Sequence, residues 1–313
     1  MQYYLSLMEK VYLLEVPGHL TINQELAPFL YERIPFRMPV SGKIRIIEVN
    51  SIDGPESDET SCSSETPLTV RTYKNEQYNI YIRKYQEQKY LTKSVLAENE
   101  ITVFCDSNFL EILKNTQVLL KRLFLESFFL LNRSFILHSS LIQFEGSAIA
   151  FCAPKQTGKS TQAALWEKKM GARILNGDRS GIKLPDLEEE NQPIMAYGLP
   201  HAGSSSIYIN EGAPLKAIIL LEQAPKNTLE PIPGNAAFSR MFSQVNVPRT
   251  DEKLLTLAIE HLEEVIRKVP VYLLRCTPDA LAVKLVYNEL YGKEECCPHD
   301  SVSDTTADAV YCF

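Results

Sequence analysis

The sequence predicts an α/β protein, and three observations predict it. The first hundred residues carry short segments of period-two apolar alternation, rich in β-branched and aromatic side chains. An apolar run ending at Cys152 gives way, through Gly158-Lys159-Ser160, to a stretch rich in Ala, Leu, Glu and Lys. Beyond that point apolar strand-like runs alternate with helical ones up to Tyr291. This divides the chain into a β-rich N-terminal domain over 1–130 that ends in a linking helix, an α/β domain over 131–292, and an acidic, aperiodic tail over 293–313 that reads as disordered.

In the N-terminal part, strands are expected at 42–50, 77–85 and 101–106. Between the first two, the segment 51–67 is rich in Ser, Glu, Asp and Pro and reads as a solvated, mobile loop. Asp106 or Ser107 is a plausible N-cap, and the apolar spacing Leu110, Leu113, Val118, Leu120, Phe124, Phe128 predicts one long helix or two. Two strands then flank a turn at Glu145-Gly146, and the second delivers the segment FCAPKQTGKSTQ (151–162).

That segment reads as a phosphate-binding P-loop. Phosphates carry dense negative charge, so a site for them needs free backbone N–H groups, a cation and a hydroxyl beside Mg2+; a loop entering a helix N-terminus supplies all three. Ala153, Pro154, Lys155, Gln156, Thr157, Gly158, Lys159, Ser160 and Thr161 are the nucleotide-binding candidates, with Gly158 admitting the phosphates to the backbone, Lys159 reaching the β- and γ-phosphates and Ser160 ligating the metal. The pattern G-x-x-x-x-G-K-[ST] would place Gly at position 153, where this chain has Ala, so either Ala153 has an ordinary backbone conformation or the loop is slightly strained.

A helix is expected from Lys159 onward, its Ala-, Leu-, Glu- and Lys-rich body over 161–170 with Gly171 as C-cap, followed by a return strand to Asp178. That spacing brings Asp178 to the loop's end of the sheet, where a carboxylate can hold Mg2+ or take a proton from an attacking hydroxyl. Gly198, Pro200, Gly203 and three serines predict a loop that approaches something closely. A buried strand over 214–223, helices over 236–242, 250–268 and 278–291, and a strand over 271–276 complete the domain.

Composition bounds the function. The 313 residues carry a net charge of −7, and the pI is near 5.4. That argues against nucleic acid or an anionic membrane as main partner and leaves room for a local basic pocket. The apolar N-terminus lacks a basic n-region and carries Glu9 and Lys10, unlike a signal peptide. Seven cysteines lack C-x-x-C spacing, which with the N-terminus points to the cytoplasm; Cys296, Cys297, His299 and Cys312 read as incidental tail residues.

His138-Ser139-Ser140-Leu141, the loop Ala153 to Thr161, Asp178-Arg179, Tyr197-Gly198-Leu199-Pro200 and the strand ending Leu221-Glu222 together resemble the catalytic core of HPr kinase/phosphorylase. Related kinase-like proteins lie beside bacterial peptide-modification genes, and ATP-dependent phosphoenolpyruvate carboxykinases share this type of core. The resemblance covers roughly residues 130 to 292. It implies ATP and Mg2+ as cofactors and transfer of the γ-phosphate to a hydroxyl on a peptide, protein or small molecule. Lys159 and the Gly158 backbone would hold the donor phosphates, and Ser160 would help bind Mg2+. Asp178 would be metal ligand or general base, His138 would face the transferred phosphate, and Arg179 and His201 would face the acceptor. Where HPr kinases carry a paired Asp-Asp, this chain has Gly177-Asp178, and Met195 stands where their signature has a glutamate. Fewer acids speak against two-metal chemistry and leave a second function open: a nucleotide-binding adaptor or regulator with little transfer. A carboxykinase-like decarboxylase would need further metal and carboxylate-binding residues. Related kinases are often homo-oligomers, although the chain has no heptads of its own.

Overall fold

A computed structural model describes residues 1–31, 38–50, 70–74, 79–85, 88–95, 99–201, 203, 205–249 and 251–292. The expected loop over 51–67 and the tail over 293–313, with Cys62, Cys296, Cys297, His299 and Cys312, lie outside the described residues.

The architecture is mixed α/β with two sheets. The strands of the first are β1 (Gln2–Leu7), β2 (Lys10–Glu15), β3 (Leu30–Tyr31), β4 (Val40–Glu48), β5 (Val70–Lys74), β6 (Asn79–Tyr85), β7 (Gln88–Val95) and β8 (Glu100–Cys105). They lie in the order β3-β1-β2-β4-β8-β7-β6-β5. The apolar opening stretch is therefore a hairpin, β1 against β2, and β4 runs parallel to both β2 and β8.

Three short helices follow: α1 (Ser107–Leu113), α2 (Thr116–Arg122) and α3 (Leu125–Leu131). The single or double helix expected from the apolar spacing is broken twice. Asn115 accepts a hydrogen bond from Val118 N at 3.2 Å, which caps a new helix start. Phe124 then takes the left-handed region at φ 57°, which interrupts the ladder. Asp106 is the N-cap of α1, accepting from Phe109 N at 2.8 Å. Leu5, Leu14, Ile44, Val103, Leu120 and Phe128 share one core between this sheet and the helices.

The second sheet holds β9 (Ser134–Leu137), β10 (Ser139–Phe144), β11 (Ser147–Cys152), β12 (Arg173–Asn176), β13 (Ser180–Lys183), β14 (Met195–Gly198), β15 (Gly212–Gln223), β16 (Thr228–Pro231), β17 (Val245–Asn246) and β18 (Val271–Cys276). Its helices are α4 (Lys159–Met170), α5 (Gly234–Phe242), α6 (Glu252–Lys268) and α7 (Ala280–Tyr291). The turn joining β10 and β11 is Glu145-Gly146, both at positive φ (47° and 73°), as a two-residue hairpin loop requires. The last helix begins at Ala280, two residues later than expected, because Asp279 is its N-cap, accepting from Leu281 N and Ala282 N.

The middle of the sheet is parallel, with β15 between β11 and β18. Its run Ala217 to Leu221 is buried on both faces, as a central parallel strand must be. Ile218 and Leu220 pack with Leu262 and Val265 of α6, while Ile219 and Leu221 pack on the other side with Phe151, Trp166 of α4 and Val283 of α7. Each such side chain contributes about 1.5–3 kcal/mol by leaving water. The result is a helix–sheet–helix sandwich in which the carboxyl ends of β11, β15 and β18 share one edge. Among the described residues no helix is long and apolar enough to cross a membrane.

Candidate phosphate-binding site

A cavity of about 1140 Å³ lies at that edge. The three parallel strands of this sheet feed it: the loop after β11, Gln223 at the end of β15 with Ala224 after it, and Cys276 at the end of β18 with Thr277 and Pro278 after it. This is where open α/β sheets place ligands, because strand ends and helix N-termini leave backbone groups unpaired there. Residues 155–162, Gly177, Asp178, Arg179, His138 and Gly203 complete the wall. The charged side chains facing the cavity are Lys155, Lys159 and Arg179 against Asp178, with His138 beside it. A cationic hollow in a chain of net charge −7 suits an anion.

The loop explains its own sequence. Gly158, at φ 116°, is the N-cap of α4; an added Cβ would meet nothing, so the glycine is needed for its conformation and not for space. Gln156 also has positive φ, 65°. Ala153 does not, and it is buried at 4% exposure among Phe151, Ala163 and Trp166. The alanine is thus in an ordinary conformation and its methyl group packs, which removes the strained alternative. Helix α4 starts at Lys159, as expected from the loop, so Lys159, Ser160 and Thr161 form its first turn. Ser160 and Thr161 are exposed to the cavity, whereas Lys159 is only 7% exposed. Its ammonium donates to Ala153 O at 2.8 Å and Pro154 O at 3.1 Å. Burial pulls the Lys159 pKa down, and the neighbouring Cys152 and Asp178 oppose that pull.

Asp178 stands opposite. Its Oδ1 is 3.2 Å from His138 Nε2, and its Oδ2 is 3.5 Å from Arg179 Nε. Burial works to raise the carboxyl's pKa, but the hydrogen bond from His138 and the positive charges of Arg179, His138 and Lys159 outweigh it and hold it below its ordinary 3.8. Asp178 is therefore a carboxylate at neutral pH.

Of the groups that aim Asp178, the sequence offered Ser139 and Ser140 only as part of the motif with His138, and it did not mark Gln244. Asn176, wholly buried, accepts from Asp178 N at 2.8 Å and Arg179 N at 2.7 Å, and its amide donates to Leu199 O at 2.6 Å. Asn-Gly is a turn signal, so this arrangement could have been anticipated. Ser140 Oγ donates to Gly177 O at 2.9 Å, and Ser139 Oγ to Ser180 Oγ at 2.8 Å, which gives the serines after His138 a structural role. The imidazole's other nitrogen, Nδ1, faces Gln244 Oε1 at 3.1 Å, and His138 N donates to Gln244 O at 2.9 Å. No sequence signal marked Gln244, since it arrives through the pairing of β17 with β9.

Gly203, at φ 57°, belongs to the loop expected to approach something closely, and the object is Asp178, whose Cβ is 2.6 Å from where a Gly203 Cβ would stand. His201, in the same loop, is 4% exposed and is not part of the cavity wall; Arg179 is. Ala153 and Pro154 touch the site only through the carbonyls that hold Lys159. Among the described residues no group of three or more His, Cys, Asp or Glu side chains forms a metal cage. The donors Ser160 and Asp178 fit a metal of the Mg2+ kind, which needs one or two protein oxygens and takes the rest from phosphate and water.

No family model matches the chain, and no curated protein matches it. Among solved structures, the HPr(Ser) kinase/phosphatase from Coxiella burnetii is similar at 14% identity, over 49% of this chain and 95% of that one, with a TM-score of 0.26.

Proposed function

We propose that this chain binds ATP with Mg2+ in the strand-end cavity and transfers the γ-phosphoryl group to a hydroxyl acceptor, a Ser or Thr of a peptide or protein or a small molecule. The observation that supports it is the placement of Lys159, at the N-terminus of α4, and the Asp178–His138 pair on the walls of one cationic cavity. Phosphoryl transfer consists mostly of positioning and charge neutralisation, with one base near the attacking oxygen, and these groups supply each part.

Bound Mg2+, held by Ser160 and phosphate oxygens, would neutralise phosphate charge and leave Asp178 to act as the base. Lys159 exchanges its bonds to Ala153 O and Pro154 O for phosphate oxygens, and the N–H groups of the first turn of α4 face the same anion. His138 fixes Asp178. As the acceptor oxygen bonds to phosphorus and the bond to the β-bridging oxygen breaks, the hydroxyl proton passes to Asp178 and ADP leaves. Arg179 offers a cation to the incoming acceptor or the moving phosphoryl group.

A second function, nucleotide binding without efficient transfer, is favoured by one observation: Asp178 is the single carboxylate on the cavity wall among the described residues.

The deciding experiment is calorimetry of Mg2+-dependent ATP binding to the parent and to Lys159→Ala, with ADP release followed in the same samples. Loss of charged hydrogen bonds of about 1.5–3 kcal/mol predicts binding roughly 10- to 100-fold weaker in the variant. ADP release in the parent supports transfer, and tight binding without release on any hydroxyl acceptor supports the second function. Absence of binding by the folded parent overturns both.

A further inference from the structure

The turn between β1 and β2 reaches across to the second sheet. Met8 and Glu9 form it, at φ 51° and 62°, and Met8 is 2% exposed. Its Sδ lies 2.5 Å, and its Cγ 3.0 Å, from the point where a Cβ on Gly181 would stand. Leu199 Cδ2 is 3.2 Å from the same point. The methionine thus fills the space of the side chain that Gly181 lacks. Beside it, Lys183 Nζ donates to Glu9 Oε2 at 3.0 Å, and Lys10 Nζ to Asn132 Oδ1 at 2.9 Å. The Glu9 pair is exposed on its acidic side and contributes little by itself. The buried Met8 contact is the specific one.

Two short routes lead from that contact to Asp178. Gly181 and Ser180 open β13 directly after Arg179, and Ser180 Oγ is tied to Ser139 Oγ beside His138. Leu199, packed in the same core as Met8, carries the carbonyl that receives the Asn176 amide, and Asn176 Oδ1 holds the N–H groups of Asp178 and Arg179. A packed interior shifts as discrete units and does not stretch, so displacing the hairpin displaces both supports.

We infer that Met8 is a positioning residue: the β1–β2 hairpin, seated in the notch left by Gly181, sets the Asp178–Arg179 turn, so that the N-terminal sheet controls the competence of the site. The inference rests on the role proposed above for Asp178.

The notch provides its own test in the full chain, through Met8→Ala, Gly181→Ala and the double variant. Amide hydrogen exchange at Asp178 and Arg179 reads the turn without reference to activity. ADP release and ATP affinity read the site. A misplacement of about 1 Å costs up to roughly 100-fold in rate, so each single variant is expected to lose about tenfold in turnover with ATP affinity within about twofold, and to lose protection at those two amides. The double variant, in which the new methyl group enters the space Met8 vacates, is expected to recover most of both. Should Gly181→Ala not fold, Met8→Ala carries the test alone. Unchanged protection and turnover in folded Met8→Ala, with only a lowered Tm, overturns the inference. Lost protection in a protein whose parent binds no ATP leaves the coupling standing and overturns the proposed function instead.

Discussion

Asp178 and His138 meet at 3.2 Å, Oδ1 to Nε2, on the wall of the strand-end cavity. The imidazole is itself held through Nδ1 by Gln244, and the carboxylate through its backbone by Asn176. Each member of the pair is aimed by a side chain from a different strand connection. Such an arrangement fixes the orientation of the carboxylate in the cavity wall.

Asp178→Asn keeps the size of the side chain and removes its charge and basicity. Transfer should fall by about 100- to 10,000-fold, the range of general base catalysis, while ATP affinity changes little. Parental transfer in this variant would remove Asp178 from the mechanism. His138→Ala should lower transfer by a smaller factor, since Asp178 keeps Arg179 and its Asn176 turn; parental turnover in a folded variant would show that the imidazole does not matter.

Asn176→Ala strips two N–H groups and one carbonyl of their partner inside the protein. Each buried group left unsatisfied costs about 1–3 kcal/mol. Thermal unfolding should therefore show a clear drop in Tm, with transfer reduced beyond what the fraction folded explains. A variant with parental Tm and transfer would show that the turn holds itself.

His261, on α6, gives a pH signature unrelated to the cavity. Burial, assisted by the Arg133 charge and opposed by Glu264, pushes its pKa down to about 4 from the ordinary 6.5, and its Nδ1 is buried without a hydrogen-bond partner. Between those two values the unfolded chain binds the proton and the folded one does not. Stability is therefore expected to decline as pH falls from about 6.5 toward 4, with the full contribution present only above the higher value. Tm measured across this window should decline less steeply in His261→Leu than in the parent. Parallel slopes would place the titrating groups elsewhere.

Much of the second sheet was legible in the chain. The hairpin at Glu145-Gly146, the doubly buried run of β15 and the strand–loop–helix at Gly158-Lys159 follow from short-range pattern, because turn chemistry and apolar period act over a few residues. The helix after Asp106 was less legible. Its apolar period continues through Asn115 and Phe124, while the backbone breaks at both, so period alone could not count the pieces.

Asp178 could be assigned to the right edge of the sheet, since one helix and one return strand leave little choice of direction. Its partners could not. His138 and Gln244 are brought together by the pairing of β17 with β9, and His201, equally attractive in composition, is turned inward at 4% exposure.

The sequence by itself determined the fold class and the chemical inventory: an α/β core, a loop suited to phosphate, a lysine, a serine and one nearby carboxylate. These are local properties, set by dihedral preference, periodicity and spacing. The tertiary structure alone decided that Ala153 packs without strain, that Asn176 and His138 aim Asp178, and that Met8 fills the notch at Gly181. Those contacts join residues remote in the chain, and which of many similar side chains meet is settled only when close packing and hydrogen-bond satisfaction are imposed on the whole fold at once.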